Sequence, residues 1–288
     1  METSSLKTLV LFASFNVILA LFSCSDNTDS SISGAGIFQS QVENGTIEGE
    51  LFLPEGSGSF PLVIVVPGSG LGTRQESEPF AQIFNGMGYA TYVYDKRGIG
   101  GSTGSYPEED SDGTEFLTAR AEDVLAIIET MRQHRDIDIS KVGLIGSSQG
   151  TWVSSIVYER SEDVAIMIMT NGGAIPTQYE FFYDTLLQNN PDFTVEKGHE
   201  ELSKYNGEAG FDPRPTFSQM NVPVLFILGG QDRSHPTLWE QAFISDLGKP
   251  NFEIHFYPNA NHEMEDVDTG EMPADLISRM LDWLVTNG

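Results

Sequence analysis

The stretch that most limits what this chain can fold into is 142–152, Val-Gly-Leu-Ile-Gly-Ser-Ser-Gln-Gly-Thr-Trp. The apolar run 142–145 reads as a buried strand, and 151–158 can open a helix. Between them stands Gly146-Ser147-Ser148-Gln149-Gly150. Gly-x-Ser-x-Gly between a strand and a helix is the pattern of a nucleophile elbow. The central serine sits on a sharp, strained turn, and glycine two residues away on each side lets neighbouring backbone approach. Of the two adjacent serines, only Ser148 has glycine at both positions. The competing reading is a glycine-rich turn that happens to contain serine, so the rest of the chain has to decide.

Around this stretch, strand-like and helix-like segments alternate. Segments 37–42 and 46–53 read as short strands joined by Asn44-Gly45, a pair that tolerates the positive φ of a tight hairpin. The runs 62–66, 89–94, 164–170, 222–228 and 252–257 are apolar and rich in β-branched or aromatic residues, as expected of strands buried on both faces. Helical periodicity fits 78–87, 114–132, 237–247 and 274–284. This alternation predicts an α/β domain over 37–288, with a mainly parallel central sheet flanked by helices. The segment 174–220 breaks the pattern. It is polar and aromatic-rich, too long for a structureless loop, and is expected to form a small cap insertion over the sheet.

In such sheets ligands sit at the carboxyl ends of the strands. Ser69, Ser148, Asp232 and His262 each follow a predicted strand. A serine hydroxyl becomes a nucleophile when a base takes its proton. Histidine suits that task near neutral pH, and a buried carboxylate orients the imidazole. The order Ser148, Asp232, His262 leaves room for one helix and one strand between acid and base. Among the five histidines, His235 is the rival base, because it shares a loop with Asp232. Asp232 could instead merely cap the following helix. Backbone N–H groups of Gln149 and of Ser69, with Gly70 second, are the expected oxyanion donors; the plain alternative for 67–70 is a tight turn. Arg74 and Gln149 are placed near the pocket by position alone.

These residues resemble those of the α/β-hydrolase superfamily, and more narrowly bacterial esterases and peptidase-like hydrolases of the serine aminopeptidase-like group. The resemblance runs from Ile37 to the C-terminus. Pro67-Gly68-Ser69-Gly70 stands where the family usually has His-Gly-Ser-Gly, so Pro67 departs from the usual histidine. Tyr94-Asp-Lys-Arg-Gly-Ile-Gly-Gly-Ser102 matches the family's Asp-x-Arg-Gly-x-Gly-x-Ser loop, which buttresses the oxyanion region and implies structural work for Asp95 and Arg97. The family's nucleophile, acid and base fall on Ser148, Asp232 and His262.

The N-terminus adds a second resemblance. Lys7 is followed by an apolar stretch over 9–22, the length of a signal-peptide core and short for a membrane span. Leu21-Phe22-Ser23-Cys24 resembles a bacterial lipobox, which implies a signal peptide over 1–23 and acylation of Cys24, the only cysteine. The alternative is an ordinary cleaved signal. The polar segment after the cysteine, within 24–36, reads as a tether. The expected site is therefore the cell envelope, periplasm or cell surface, with contact to the membrane through the lipid alone.

Composition excludes some partners. A formal charge of −27 argues against nucleic acid, whose phosphates need clustered Lys and Arg. No metal-ligand spacing or dinucleotide fingerprint is present, so neither metal nor cofactor is expected. The leading expectation is a serine hydrolase cleaving a small carboxylic ester. A peptidase or amidase with the same triad, or a lipid-anchored binding protein on a hydrolase scaffold, are the alternatives.

Overall fold

The computed structural model describes residues 36–288. The leader, Cys24 and most of the tether lie outside the described residues. β1 (Gly36–Val42) and β2 (Gly45–Phe52) form the expected antiparallel hairpin, with Asn44 at φ 61° in its turn. There follow β3 (Phe60–Val66), α1 (Glu78–Gly86), β4 (Ala90–Tyr94), α2 (Thr114–Met131), β5 (Ile137–Ser147), α3 (Gln149–Arg160) and β6 (Val164–Thr170). The chain continues through α4 (Thr177–Asn189), α5 (Val195–Leu202), α6 (Arg214–Gln219), β7 (Val224–Gly229), α7 (Thr237–Asp246), β8 (Phe252–Tyr257) and α8 (Leu276–Asn287).

The eight strands form a single sheet in the order β1-β2-β4-β3-β5-β6-β7-β8. Every pair from β4 to β8 is parallel, and β2 joins β4 antiparallel. The strand period of two divides each apolar run between two helix layers. Leu62, Ile64 and Val66 of β3, Val142 and Leu144 of β5, and Val224, Phe226 and Leu228 of β7 share a core with Leu117, Val124 and Ile128 of α2 and Val153 of α3. Val63, Ile145, Leu225 and Ile227 face the other way, onto Phe84 of α1 and Met280, Trp283 and Leu284 of α8. Burial on both faces is why these strands read as continuous apolar runs.

The segment expected to form one insertion divides between two cores. Tyr183 and Leu187 of α4 and Leu202 of α5 cluster with Tyr179, Phe182, Phe193, Tyr205 and Trp239 in a small core of their own. Phe217 of α6 and Met220 instead join the main core, with Phe217 5.7 Å from the ring of Phe226. Helix α6 thus belongs to the layer beside the sheet, and the separate cluster gathers α4, α5, the turns after them and Trp239 of α7. Tyr183 Oη donates to the carbonyl of Asp232 at 2.9 Å, and Arg233 donates to the carbonyls of Phe193 and Leu187 at 2.6 and 2.9 Å. These bonds tie the small cluster to the loop after β7.

Candidate active site

Strand β5 ends at Ser147 and helix α3 begins at Gln149, so Ser148 alone makes the turn. Its backbone stands at φ 52°, ψ −126°, a conformation that costs a non-glycine residue about 1–3 kcal/mol and persists only when the surroundings impose it. They do. The Ser148 N–H donates to the carbonyl of Thr170 at 2.9 Å, and its own carbonyl accepts both the N–H and the hydroxyl of Thr151 at 2.9 and 2.5 Å. A Cβ on Gly150 would lie 2.2 Å from the carbonyl oxygen of Val66. Glycine there lets α3 start hard against the end of β3.

Asp232 follows β7 and is fully buried. Its carboxylate does two jobs. Oδ1 accepts the backbone N–H groups of Ser234 and His235 at 2.8 and 2.7 Å, and Oδ2 meets Nδ1 of His262 at 2.8 Å. His262 lies beyond β8, and Asn171 at the end of β6 holds its loop in place. Asn171 Nδ2 donates to the carbonyls of His262 and Asn261 at 2.7 and 3.2 Å, while its Oδ1 accepts the N–H of Gly229 at 2.8 Å. The structure thus joins Asp232 to His262.

The partner it gives to Ser148 is the rival histidine. Oγ of Ser148 lies 3.3 Å from Nε2 of His235. The His235 and His262 rings stack in parallel, with centroids 5.3 Å apart and planes 3° apart. His235 is buried, with Trp152 on one side and Gly172 so near that a Cβ there would lie 2.8 Å from Cε1. Two carboxylates face it: Glu180 Oε1 is 3.8 Å from Nε2, and Glu240 Oε1 is 3.9 Å from Nδ1. Burial opposes charge on this ring, but Glu240, Glu180 and Asp232 overcome it and raise its pKa to about 9. Burial likewise pushes the Glu180 carboxyl up to about 7, against the pull of His235.

The loop 67–70 after β3 runs beside the elbow, with a Cβ on Gly68 falling 3.2 Å from Cβ of Ser148. Lys96, which is almost fully buried, donates to the carbonyls of Gly68, Ser69 and Gly70 at 2.6, 3.2 and 2.6 Å. Arg120 donates to the carbonyl of Pro67 at 2.6 Å and to the side-chain oxygen of Gln149. In a trans peptide the N–H points opposite to the preceding C=O. Pinning the Gly68 and Ser69 carbonyls on Lys96 therefore turns the Ser69 and Gly70 N–H groups away from it. Burial, with Arg120 adding repulsion, pulls the Lys96 ammonium down to about 7.

Arg74, expected near the pocket by position alone, is engaged by carboxylates. Its backbone N–H donates to Asp95 at 2.7 Å, and its guanidinium pairs with Asp95 and with Glu48 at 3.2 Å. Asp95 also accepts the N–H of Gly101 at 2.8 Å, and Arg97 pairs with Asp123. These charges knit the 94–102 loop together. Lys96, Arg120 and Asn171 join the expected residues around the site, and each carried a signal in the sequence. Lys96 and Asn171 follow strands, and Arg120 interrupts the buried stripe of α2. Among the described residues no group of His, Cys, Asp and Glu is arranged to hold a metal ion.

Comparison with known proteins agrees with this architecture. A sequence model of the prolyl oligopeptidase family matches residues 77–287, most of the chain. Esterase EstD of Thermotoga maritima is 23% identical over 263 residues, which cover 81% of this chain and 61% of EstD. An esterase of Pyrococcus furiosus superposes with a TM-score of 0.66 at 17% identity, over 92% of this chain and 95% of its own. The acylaminoacyl peptidase of Pyrococcus horikoshii superposes with a TM-score of 0.63 at 16% identity, over 88% of this chain and 41% of its own. The family match and the esterase neighbours fit the expected α/β-hydrolase fold. The chain spans about three fifths of the length of EstD, and it belongs to the prolyl oligopeptidase family.

Proposed function

We propose that this chain cleaves carboxylic esters through an acyl-enzyme on Ser148, with His262 as base and Asp232 as its orienting carboxylate. The observation that carries the reading is the strained Ser148 elbow standing beside a preformed Asp232–His262 pair at 2.8 Å. Asp232 accepts from Nδ1–H of His262, which leaves Nε2 free to accept a proton. Ser148 Oγ attacks the ester carbonyl while His262 takes its proton. The carbonyl oxygen becomes an oxyanion facing the N–H groups of Gln149 and Ser69. Collapse breaks the bond to the alkoxy group, which leaves with the proton from His262. Water, deprotonated by the same histidine, then attacks the acyl-enzyme and frees the acid and Ser148. The contact of Ser148 with His235 describes the resting site, where hydrogen bonds to the base are often long before substrate arrives.

The name of the matching family favours a second reading, amide cleavage, in which His262 protonates a leaving amine. The lipobox-like sequence supports an envelope location with acyl chains on Cys24; Cys24→Ala would then release the protein from membranes.

Hydrolysis of short-chain p-nitrophenyl esters beside aminoacyl p-nitroanilides tests the assignment. Ester turnover that disappears in Ser148→Ala supports it. Amide turnover alone selects the second reading, and equal rates in wild type and Ser148→Ala overturn both.

A further inference from the structure

The triad leaves His235 without a task, although its ring touches the nucleophile. The arrangement around it defines its protonation state. A neutral imidazole carries one N–H and one lone pair, so between two carboxylates it would aim a lone pair at one of them. Here Nε2 faces Glu180 at 3.8 Å and Nδ1 faces Glu240 at 3.9 Å, and an imidazolium aims a lone pair at neither: its Nδ1–H turns to Glu240, and its Nε2–H goes to the nearer Ser148 Oγ at 3.3 Å. Glu240 is fully buried, and a buried carboxylate requires a counter-charge. The titratable groups facing the ring come from α4 (Glu180), α7 (Glu240), the loop after β7 (Asp232) and the loop after β8 (His262).

Resting on the reading of Ser148 as nucleophile and His262 as base, we propose that His235 is a fixed imidazolium that donates from Nε2 to Ser148 Oγ, directing the hydroxyl proton to His262 and stabilising the charge that develops on Oγ. An oxygen that accepts from His235 cannot also give its proton there, so that proton points to the remaining base. The charge on His235 acts on both ends of the transfer. It attracts the developing negative Oγ across 3.3 Å and repels the developing His262 imidazolium across a ring separation of 5.3 Å. The nearer interaction wins. At an effective dielectric constant of about 20, the difference accelerates the transfer roughly twentyfold.

The test compares wild type, His235→Gln, the double variant His235→Gln with Glu240→Gln, and His262→Ala. The double variant keeps a donor beside Ser148 and removes the buried carboxylate that His235→Gln alone leaves unpaired, so a fold survives to be measured. The expected result is a fall in kcat of roughly twentyfold with KM little changed. Wild-type kcat should decline as pH rises through about 9, where His235 loses its charge, and the double variant should lack that decline. A double variant with wild-type kcat and an unchanged alkaline limb overturns the proposal. If His262→Ala keeps its activity while His235→Gln loses it, His235 is itself the base; that overturns the donor role and leaves a serine hydrolase. Ser148→Ala at the wild-type rate removes the underlying reading instead.

Discussion

The two-sided use of Asp232 makes Asp232→Asn an informative change. Asparagine preserves the shape, and the site decides which way its amide lies. The N–H groups of Ser234 and His235, at 2.8 and 2.7 Å from Oδ1, demand an acceptor there. The flipped amide would abandon two buried hydrogen bonds, at about 1–3 kcal/mol each. The amide oxygen therefore takes the Oδ1 place, and the NH2 group faces Nδ1 of His262 across the 2.8 Å now spanned by Oδ2. Nδ1 must then accept, which moves the ring proton to Nε2, where it blocks transfer from Ser148. The equivalent carboxylate-to-amide change in a serine triad lowers turnover about 10,000-fold, or about 5.4 kcal/mol of barrier. The assay is kcat on p-nitrophenyl acetate alongside a thermal melt, with Tm expected within a few degrees of wild type because the turn keeps its bonds. A folded variant whose kcat stays within about tenfold of wild type would refute the tautomer argument and shift the base to His235.

Three further perturbations follow from particular contacts. Gly150→Ala places a methyl group 2.2 Å from the Val66 carbonyl oxygen, a backbone atom that cannot step aside. Ester turnover should fall at least about 100-fold as α3 and the Gln149 N–H shift, with stability lower by about 1–3 kcal/mol in urea denaturation. Lys96→Met removes the donor from three loop carbonyls; kcat should drop about 100- to 1000-fold, as for a lost oxyanion donor, while KM changes little, and an unaltered kcat would separate Lys96 from the oxyanion loop. His199, buried against Tyr183 in the α4–α5 cluster, is pulled by burial from 6.5 to about 4. Because the unfolded chain binds that proton more readily, the stability His199 preserves is intact above pH 6.5 and is lost as pH falls toward 4. The loss comes to about 2 kcal/mol at pH 5, and the Tm of His199→Phe should fall less between pH 7 and pH 5 than that of wild type.

The sheet was legible in the sequence because strands buried on both faces have to be apolar throughout, as 62–66 and 164–170 are. Its carboxyl edge followed, and with it the places of Ser148, Asp232 and His262 after β5, β7 and β8. Two things were not legible. Composition cannot say which core an aromatic joins, so one expected insertion over 174–220 holds both Phe182 and Phe217, which pack in different clusters. Nor could chain order decide which histidine meets Ser148. That depends on the bare backbone at Gly172 and on Glu180 arriving from α4, both set by tertiary packing. The spacing of His235 and Glu240 across the start of α7 was a signal for their pairing, but it became interpretable only once both proved buried.

The central claim is that Ser148 carries a covalent intermediate. Fluorophosphonate labelling of the purified protein, followed by peptide mapping, tests it most directly. The account predicts a single adduct on the peptide containing Ser148, abolished in Ser148→Ala and strongly slowed in His262→Ala. An adduct elsewhere, or equal labelling of wild type and Ser148→Ala, would contradict it.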